Sequence, residues 1–390
     1  MNVLYVLNST SIYGGASKSF LHLLKGLINL GVKPVIVVPD NNGICVTLRR
    51  MNVTTIDVPF KHHTYPAYNG LKNKLFFLPR LFGRIWMNHN AFYKLKKHLK
   101  GQNFDLVHTN VSVINIGFKL AKSMKIPHVY HFREFADLDF NMHYFPSKYF
   151  FYKKINKKNS FFITITNQIK NYHHLNEKNT KVIYNPISER LNHIDFSHDL
   201  NYFLFAGRLV PTKGLMEVIQ AYVEYVKIIK NPLKLLIAGD QPDNNYIKDI
   251  YRIIQINNLQ EHIEFLGPRS DIEMLMNNAK AIIVASKFEA FGRCMAEAMF
   301  HGCLVIGKNI AGTKEQFDNG IEFCGEEIGV RYNNKEDLVK ALEYISEINW
   351  EDRKKIVSLA FKTVNELYSV NVSVKNVFDF YQRILNEEYS

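Results

Sequence analysis

The stretch 281-AIIVASKFEAFGRCMAEAMFHGCLVI-306 decides how the chain is read. An apolar run passes through a polar loop into a helical segment and returns to an apolar run, which reads as strand, loop, helix, strand. The loop carries Glu289 just ahead of Phe291-Gly292, and the helix carries Glu297 eight positions later. Two carboxylates therefore bracket a helix N-terminus. The first backbone N–H groups there lack intrahelical partners and the dipole is positive, so an anionic or hydroxyl-rich ligand has a place to dock. Carboxylates accept well from sugar hydroxyls, which suggests a nucleotide sugar rather than a bare phosphate. Taken singly, either glutamate reads more simply as a solvated side chain. The run Met295-Ala296-Glu297-Ala298-Met299-Phe300 is otherwise apolar enough to be mostly buried, and a buried carboxylate needs partners.

Working outward, 390 residues at 47% hydrophobic content suffice for two packed cores, so two domains are expected. Strand-like runs alternate with helical segments from Val3 almost to the C-terminus, the pattern of an α/β protein with parallel sheets. That alternation alone does not exclude a TIM barrel. The opening Met1-Asn2-Val3-Leu4-Tyr5-Val6-Leu7 runs straight into a strand with no positive leader, so no secretory signal is expected. No apolar segment approaches the roughly 20 residues of a membrane span, and the expectation is a cytoplasmic protein. Cys45, Cys294, Cys303 and Cys324 have no metal-ligand spacing and read as small buried hydrophobes. The net charge is +13, but residues 1–195 carry 27 Lys and Arg against 9 Asp and Glu, whereas the remainder carries 22 against 27. The basic half is thereby expected to meet an anionic surface, either nucleic acid or phospholipid headgroups.

In the N-terminal half, Val3 to Leu7 reads as a strand and Ser17 to Leu30 as a helix. Tyr13-Gly14-Gly15-Ala16 between them lets backbone approach a ligand, although the spacing is not that of a dinucleotide loop. Further strands are expected at Pro34 to Val38 and Thr54 to Val58. Between Asp57 and Asp105 there is no acidic residue and there are nine basic ones, among them Lys72, Lys74, Arg80, Arg84, Lys94, Lys96 and Lys97. Leu75, Phe76, Phe77, Leu78, Leu81, Phe82, Ile85 and Trp86 are interleaved with them, as in an interfacial membrane helix. A core helix with a solvated basic side is the plainer alternative. Pro79 is expected to break this segment, leaving a second piece at Ala91 to Lys100. Nucleic acid fits less well, since no nucleic-acid-binding motif is present. Lys125 to Glu134 reads as a strand ending in a polar cluster, with His131, Arg133 and Glu134 beyond its carboxyl end, where open parallel sheets bind ligands. Asp137-Leu138-Asp139 has the look of a metal-binding pair but lacks strand context, so no metal site is expected. Strands follow at Phe161 to Thr166 and Lys181 to Tyr184, and polar Ser188 to Asp199 reads as the interdomain linker.

In the C-terminal half, Tyr202 to Ala206 starts a new sheet. The loop Gly207-Arg208-Leu209-Val210-Pro211-Thr212-Lys213-Gly214 leads from it into a helix. Arg208 and Lys213, a fork and a point charge beside a helix N-terminus, suit a diphosphate. Strands at Leu233 to Ala238, Ile263 to Leu266 and Leu304 to Gly307 follow, with the turn Gly312-Thr313-Lys314-Glu315 after the last of these. Their loops should collect on one sheet edge. Helices close the chain at Lys335 to Glu347, Glu351 to Tyr368 and Val374 to Leu385.

Taken together, Gly14-Gly15-Ala16, Ile126-Pro127 to His131, Asn185-Pro186-Ile187, Gly207-Arg208 with Lys213-Gly214, Ala238-Gly239, Phe265-Leu266-Gly267 and Ser286 to Gly302 resemble the retaining glycosyltransferases of family GT4, also called group 1. The resemblance spans essentially the whole chain, and the spacing of Glu289 and Glu297 is its most specific part. It departs where Pro186 stands in place of the usual glycine, and His-Phe-Arg-Glu after Tyr130 belongs only to some subgroups. It implies a GT-B fold of two Rossmann-like domains facing each other across a cleft. The domains are expected at 1–192 on the acceptor side and 193–370 on the nucleotide-sugar side, with 371–390 packing back on the first. The resemblance further implies that Arg208 and Lys213 hold the donor diphosphate and that Glu297 accepts from the ribose. Glu289 would take the sugar hydroxyls with the N–H groups of Ala290, Phe291 and Gly292, Gly15 and Gly207 would lie near the phosphates, and His131 would touch the sugar. It implies no metal and no cofactor, with a nucleotide sugar as donor and a saccharide or lipid-linked saccharide acceptor in cell-surface polysaccharide synthesis, at an anionic membrane. Two other readings stay open: another GT-B activity, such as a pyridoxal-bearing sugar phosphorylase or a nucleotide-sugar epimerase, and a catalytically silent membrane-binding subunit.

Overall fold

The structure, a computed structural model, describes residues 1–12, 14–66, 74–194, 196, 201–240, 242 and 244–388. The chain forms two compact units, Met1–Pro186 with Val370–Ser390, and Ile187–Ser369. The first change of unit thus falls ahead of the polar segment read as a linker.

Unit 1 is built on β1 (Asn2–Val6), β2 (Lys33–Val38), β3 (Thr54–Asp57), β4 (Thr64–Pro66), β5 (Leu106–Thr109), β6 (His128–Phe132), β7 (Met142–Tyr144), β8 (Ser160–Thr164) and β9 (Thr180–Val182). Seven of these make a sheet in the order β3-β2-β1-β5-β6-β8-β9, every neighbouring pair parallel; β4 and β7 form a separate antiparallel pair. Helices cover the sheet, so β5 and β6 are buried at every position and read as continuous runs rather than alternating ones. The helix Gly15–Asn29 buries Phe20, Leu23, Leu24 and Leu27 in a core that also takes Val370, Val374, Val377, Phe380, Tyr381 and Ile384 of the final helix Val370–Glu388. Gly26 permits that packing: a Cβ there would lie 2.4 Å from Val374 Cγ2.

Unit 2 contains β10 (Tyr202–Ala206), β11 (Lys234–Ala238), β12 (Ile263–Gly267), β13 (Ala281–Val284), β14 (Val305–Lys308) and β15 (Val330–Tyr332). They form one parallel sheet in the order β12-β11-β10-β13-β14-β15. The quoted stretch is β13, a loop, the helix Arg293–Phe300 and the start of β14, as its pattern dictates.

The helix break expected at Pro79 does not occur. Residues 77–98 form a single helix, Phe77–His98, with no break at Pro79. Phe76 is the N-cap, which puts Pro79 in the first turn, where an N–H would have no intrahelical acceptor and none is missed.

Candidate active site

Strand order in a doubly wound sheet reverses at a switch point, and the loops leaving the carboxyl ends of the strands on either side of it diverge to leave a crevice. In unit 2 that point lies between β10 and β13. The loop after β10 contains Arg208 and Lys213, and the loop after β13 contains Glu289 to Gly292. They meet there: Lys213 Nζ donates to Glu289 Oε2 at 2.8 Å, with both side chains partly exposed. Lys287 N–H also donates to Thr212 O at 2.9 Å, tying the loops by backbone.

Local sequence explains why Lys213 is held. Pro211–Lys213 is a single 3-10 turn, stopped by Gly214 in the left-handed region at φ +78. A Cβ at Gly214 would sit 2.0 Å from Ala285 O, so only glycine lets this turn lie against the end of β13 and start the helix Leu215–Ile228. Leu209 is buried and anchors the loop, whereas Arg208 beside it is exposed and has no ion-pair partner among the described residues.

The second loop is supported from behind. Gly312 N–H donates to Glu289 O at 2.8 Å, and Gln316 Nε2 donates to Phe291 O and to Gly292 O. Phe291 is buried and meets Tyr368 edge-on at 5.2 Å between ring centres. Gly292 then caps the helix Arg293–Phe300 without any side-chain acceptor, leaving its first N–H groups uncapped by side chains. Glu297, half-buried on that helix, pairs with Arg293 at 2.9 Å. Cys294 Sγ sits 3.5 Å from Ala206 O, and its thiol is pushed up above the ordinary range, first by burial and then by the charge of Glu297. Buried Thr313 Oγ1 has no hydrogen-bond partner among the described residues.

Unit 1 has its own reversal between β1 and β5. Gly14 caps the helix Gly15–Asn29, again without a side-chain acceptor, and exposed Gly15 is its first residue. His131 lies inside β6 rather than beyond it and is 2% exposed. Its Nδ1 is 3.2 Å from Arg133 Nη2 and 3.3 Å from His108 Nε2, and its Nε2 is buried with no partner. Arg133 is buried, donating to Asn110 O at 3.1 Å and to Asn185 Oδ1 at 2.5 Å. Glu134 Oε1 accepts from Ser112 N–H at 2.6 Å and Ser112 Oγ at 2.7 Å. Burial pushes its carboxyl up to about 7. Arg133 and Glu134 are thus enclosed polar groups that fix the end of β6, not surface charges. Asp137 pairs with Lys148 at 2.7 Å and Asp139 accepts from Phe135 N–H, so that pair is tied up within the fold. Among the described residues no group of three His, Cys, Asp or Glu could hold a metal ion. Lys74, Arg80, Lys94, Lys96 and Lys97 are exposed at or before the helix Phe77–His98, and Arg84 is half-buried. Lys72 lies outside the described residues.

Comparison with known proteins follows this geometry. Residues 13–190 match the model of Glycosyltransferase Family 4, and residues 188–363 match that of Glycosyl transferases group 1. The chain belongs to the group 1 glycosyltransferases. An uncharacterized glycosyltransferase of Methanocaldococcus jannaschii is 27% identical to it over 361 residues, 90% of this chain and 97% of that one. HepE of Anabaena, solved in complex with UDP, superposes with a TM-score of 0.77 at 17% identity, over 98% of this chain and all of that one. A glycosyltransferase of Rickettsia africae gives 0.76 at 22% identity over 98% of both. This glycosyltransferase accordingly has the GT-B fold, with two Rossmann-like units. Sequence spacing pointed to Arg208, Lys213, Glu289 and Glu297. It named Asn185 only within a family motif and Gly312 only within a strand-to-helix turn, and it did not point to Gln316 or Ser112; the bonds these four make to the site join residues 22 to 52 positions apart.

Proposed function

We propose that this glycosyltransferase moves a hexosyl group from a nucleotide diphosphate sugar to a saccharide or lipid-linked saccharide, with retention of configuration, in cell-surface polysaccharide synthesis. The observation that carries the reading is the meeting of Lys213 and Glu289 at the unit 2 switch point, with Arg208, which has no ion-pair partner among the described residues, in the same loop. A cation and a carboxylate paired without ligand are ready to part. Lys213 and Arg208 turn to the diphosphate, and Glu289, with the N–H groups of Ala290 to Gly292, takes the sugar hydroxyls. Glu297 exchanges Arg293 for the ribose. The bond from the anomeric carbon to the phosphate oxygen breaks while the acceptor oxygen bonds to that carbon from the same face. The acceptor proton passes to the leaving phosphate. Two fixed cations stabilise the departing charge, so no metal is required. The UDP held by HepE makes UDP the first nucleotide to try.

No helix among the described residues is long and apolar enough to cross a membrane. The helix Phe77–His98 instead offers exposed Leu78, Phe82, Ile85, Trp86 and Tyr93 beside exposed lysines, a surface suited to lie on anionic lipid at the cytoplasmic face. The test of the catalytic reading is turnover with a panel of nucleotide sugars, in chelator. Lys213→Ala should lower kcat by roughly 10²–10³-fold with the fold intact, as loss of one charge-stabilising donor does. Unchanged turnover, or activity restored only by added metal, would overturn it.

A further inference from the structure

A cavity of about 200 Å³ lies wholly within unit 1, between the helices Phe77–His98 and Ile116–Met124. Its lining divides by chemistry. Tyr65, Leu81, Ile85 and Phe145 make an apolar wall, and Ile85, 51% exposed, opens that wall onto the apolar surface of the first helix. Arg84, Asn88, Asn115 and Lys119 make the polar part. Asn88 is turned to the backbone of Lys61, its Oδ1 accepting from Lys61 N–H and its Nδ2 donating to Lys61 O. Arg84 lies over the Tyr65 ring and, among the described residues, donates one bond, from Nη1 to Thr64 O at 2.7 Å. Asn115 caps the helix Ile116–Met124 but makes no side-chain cap bond, so the first N–H groups of that helix are free of a side-chain acceptor.

Lys119 is the unusual member. It is half-buried in the first turns of that helix and has no ion-pair or hydrogen-bond partner among the described residues. Burial pushes its ammonium below the ordinary lysine range. His63 also lines the cavity, with both ring nitrogens buried and without a partner among the described residues. It is pushed down to about 3, first by burial, then by the charges of Lys154, His62 and Lys119. All these charges are positive. A half-buried cation without a counter-charge is partly desolvated and uncompensated, and a cavity that lines itself with both Lys119 and Arg84 is suited to an anion.

We infer that this cavity binds the phosphate of a single-chain amphiphile, with Lys119, Arg84 and the N-terminus of Ile116–Met124 on the phosphate and Leu81, Ile85 and Phe145 along the first carbons of the chain. The inference rests on the proposed transfer reaction and narrows its acceptor: the saccharide enters carried on a lipid phosphate. The cavity lies at the carboxyl end of β5, the sheet edge at which a ligand of unit 1 is expected. Ordinary bilayer phospholipid is the competing source of the same chemistry.

The test is titration calorimetry of the full chain with farnesyl monophosphate, farnesol and inorganic phosphate, each below its aggregation limit, and separately with UDP. Farnesyl monophosphate should bind at least tenfold tighter than either fragment, since both halves of the site are needed. Lys119→Met and Arg84→Gln should each weaken it about tenfold or more, the loss expected for a charge-assisted contact. Lys119→Met should not lower Tm, because among the described residues it breaks no ion pair or hydrogen bond, so a loss of binding is not a loss of fold. Equal binding of farnesol, equal binding of inorganic phosphate, or binding unchanged in Lys119→Met would overturn the inference. So would a matching loss of affinity for phosphatidylglycerol vesicles in Lys119→Met, which would make bulk lipid the occupant. UDP affinity separates the two proposals: retained lipid-phosphate binding with no UDP binding sinks the transfer reading alone, and the converse sinks only this one.

Discussion

Gly312 shows how much of the loop Glu289 to Gly292 is set from behind. A Cβ on it would lie 2.7 Å from both Glu289 O and Phe291 Cα, closer than carbon atoms approach, and its own N–H holds Glu289 O. Gly312→Ala must therefore push the loop outward. Overpacking of this kind costs roughly 1–3 kcal/mol, so Tm should fall by roughly 2–12 °C in a unit of this size. Donor affinity should fall more than tenfold, because Glu289 and the N–H groups of 290–292 move together. A calorimetric Kd for the donor equal to that of the unmodified chain would show that this loop does not hold it. Glu289, Glu297, Arg208 and Lys213 were legible because chemistry-bearing residues at fixed spacing flank a strand-loop-helix pattern. Gln316 was not, and Gly312 was legible as part of a turn but not in its contact, since nothing in a sequence tells a helix glycine from one that must touch a carbonyl of a loop two elements earlier. His131 was legible as a residue but not in its setting, enclosed by His108 and Arg133.

At the level of elements, alternating apolar runs and helical periods determined both parallel sheets, and strand boundaries such as Tyr202–Ala206 coincide with those read from sequence. The strand order β3-β2-β1-β5-β6-β8-β9 was not legible, because pairing depends on which crossover packs on which face. Pro79 misled for a physical reason: its cost depends on whether its N–H would have been bonded, and in a first turn it would not. The helix that results presents Phe82 and Trp86 at 65% and 67% exposure. Substitutions at such sites change stability by only about 0.5 kcal/mol. The pair Phe82→Ser and Trp86→Ser should thus leave the unfolding midpoint in place while reducing sedimentation with anionic vesicles severalfold. Binding to neutral and anionic vesicles alike, or binding indifferent to both substitutions, would remove the membrane from the proposed function.

Across the whole molecule the two units differ in how they meet acid. His62, His63, His108, His128, His131 and His173 are all in unit 1, and all are held below their ordinary range chiefly by burial, His63 and His128 to about 3 and His173 to about 4. Such a histidine stays neutral in the fold and takes up a proton on unfolding. Its contribution is therefore complete above 6.5 and is lost as pH falls below that value toward the folded one, by about 1.4 kcal/mol per pH unit for each group. Glu134 and Asp139, pushed up by burial to about 7 and about 6, act with the opposite sign: the fold keeps their protons where the unfolded chain would release them, so they favour the fold as pH falls. Six groups oppose two, and the histidines win. Unit 1 should accordingly open before unit 2 as pH drops from 6.5 to 4, seen as a loss of amide hydrogen-exchange protection in β5, β6 and β8 while β10 and β13 stay protected. His128→Asn should flatten that dependence and shift it to lower pH, whereas Glu134→Gln, which keeps an acceptor for Ser112, should steepen it. Loss of protection in both units at one pH, or a profile unmoved by His128→Asn, would mean that the buried histidines do not set the acid limit.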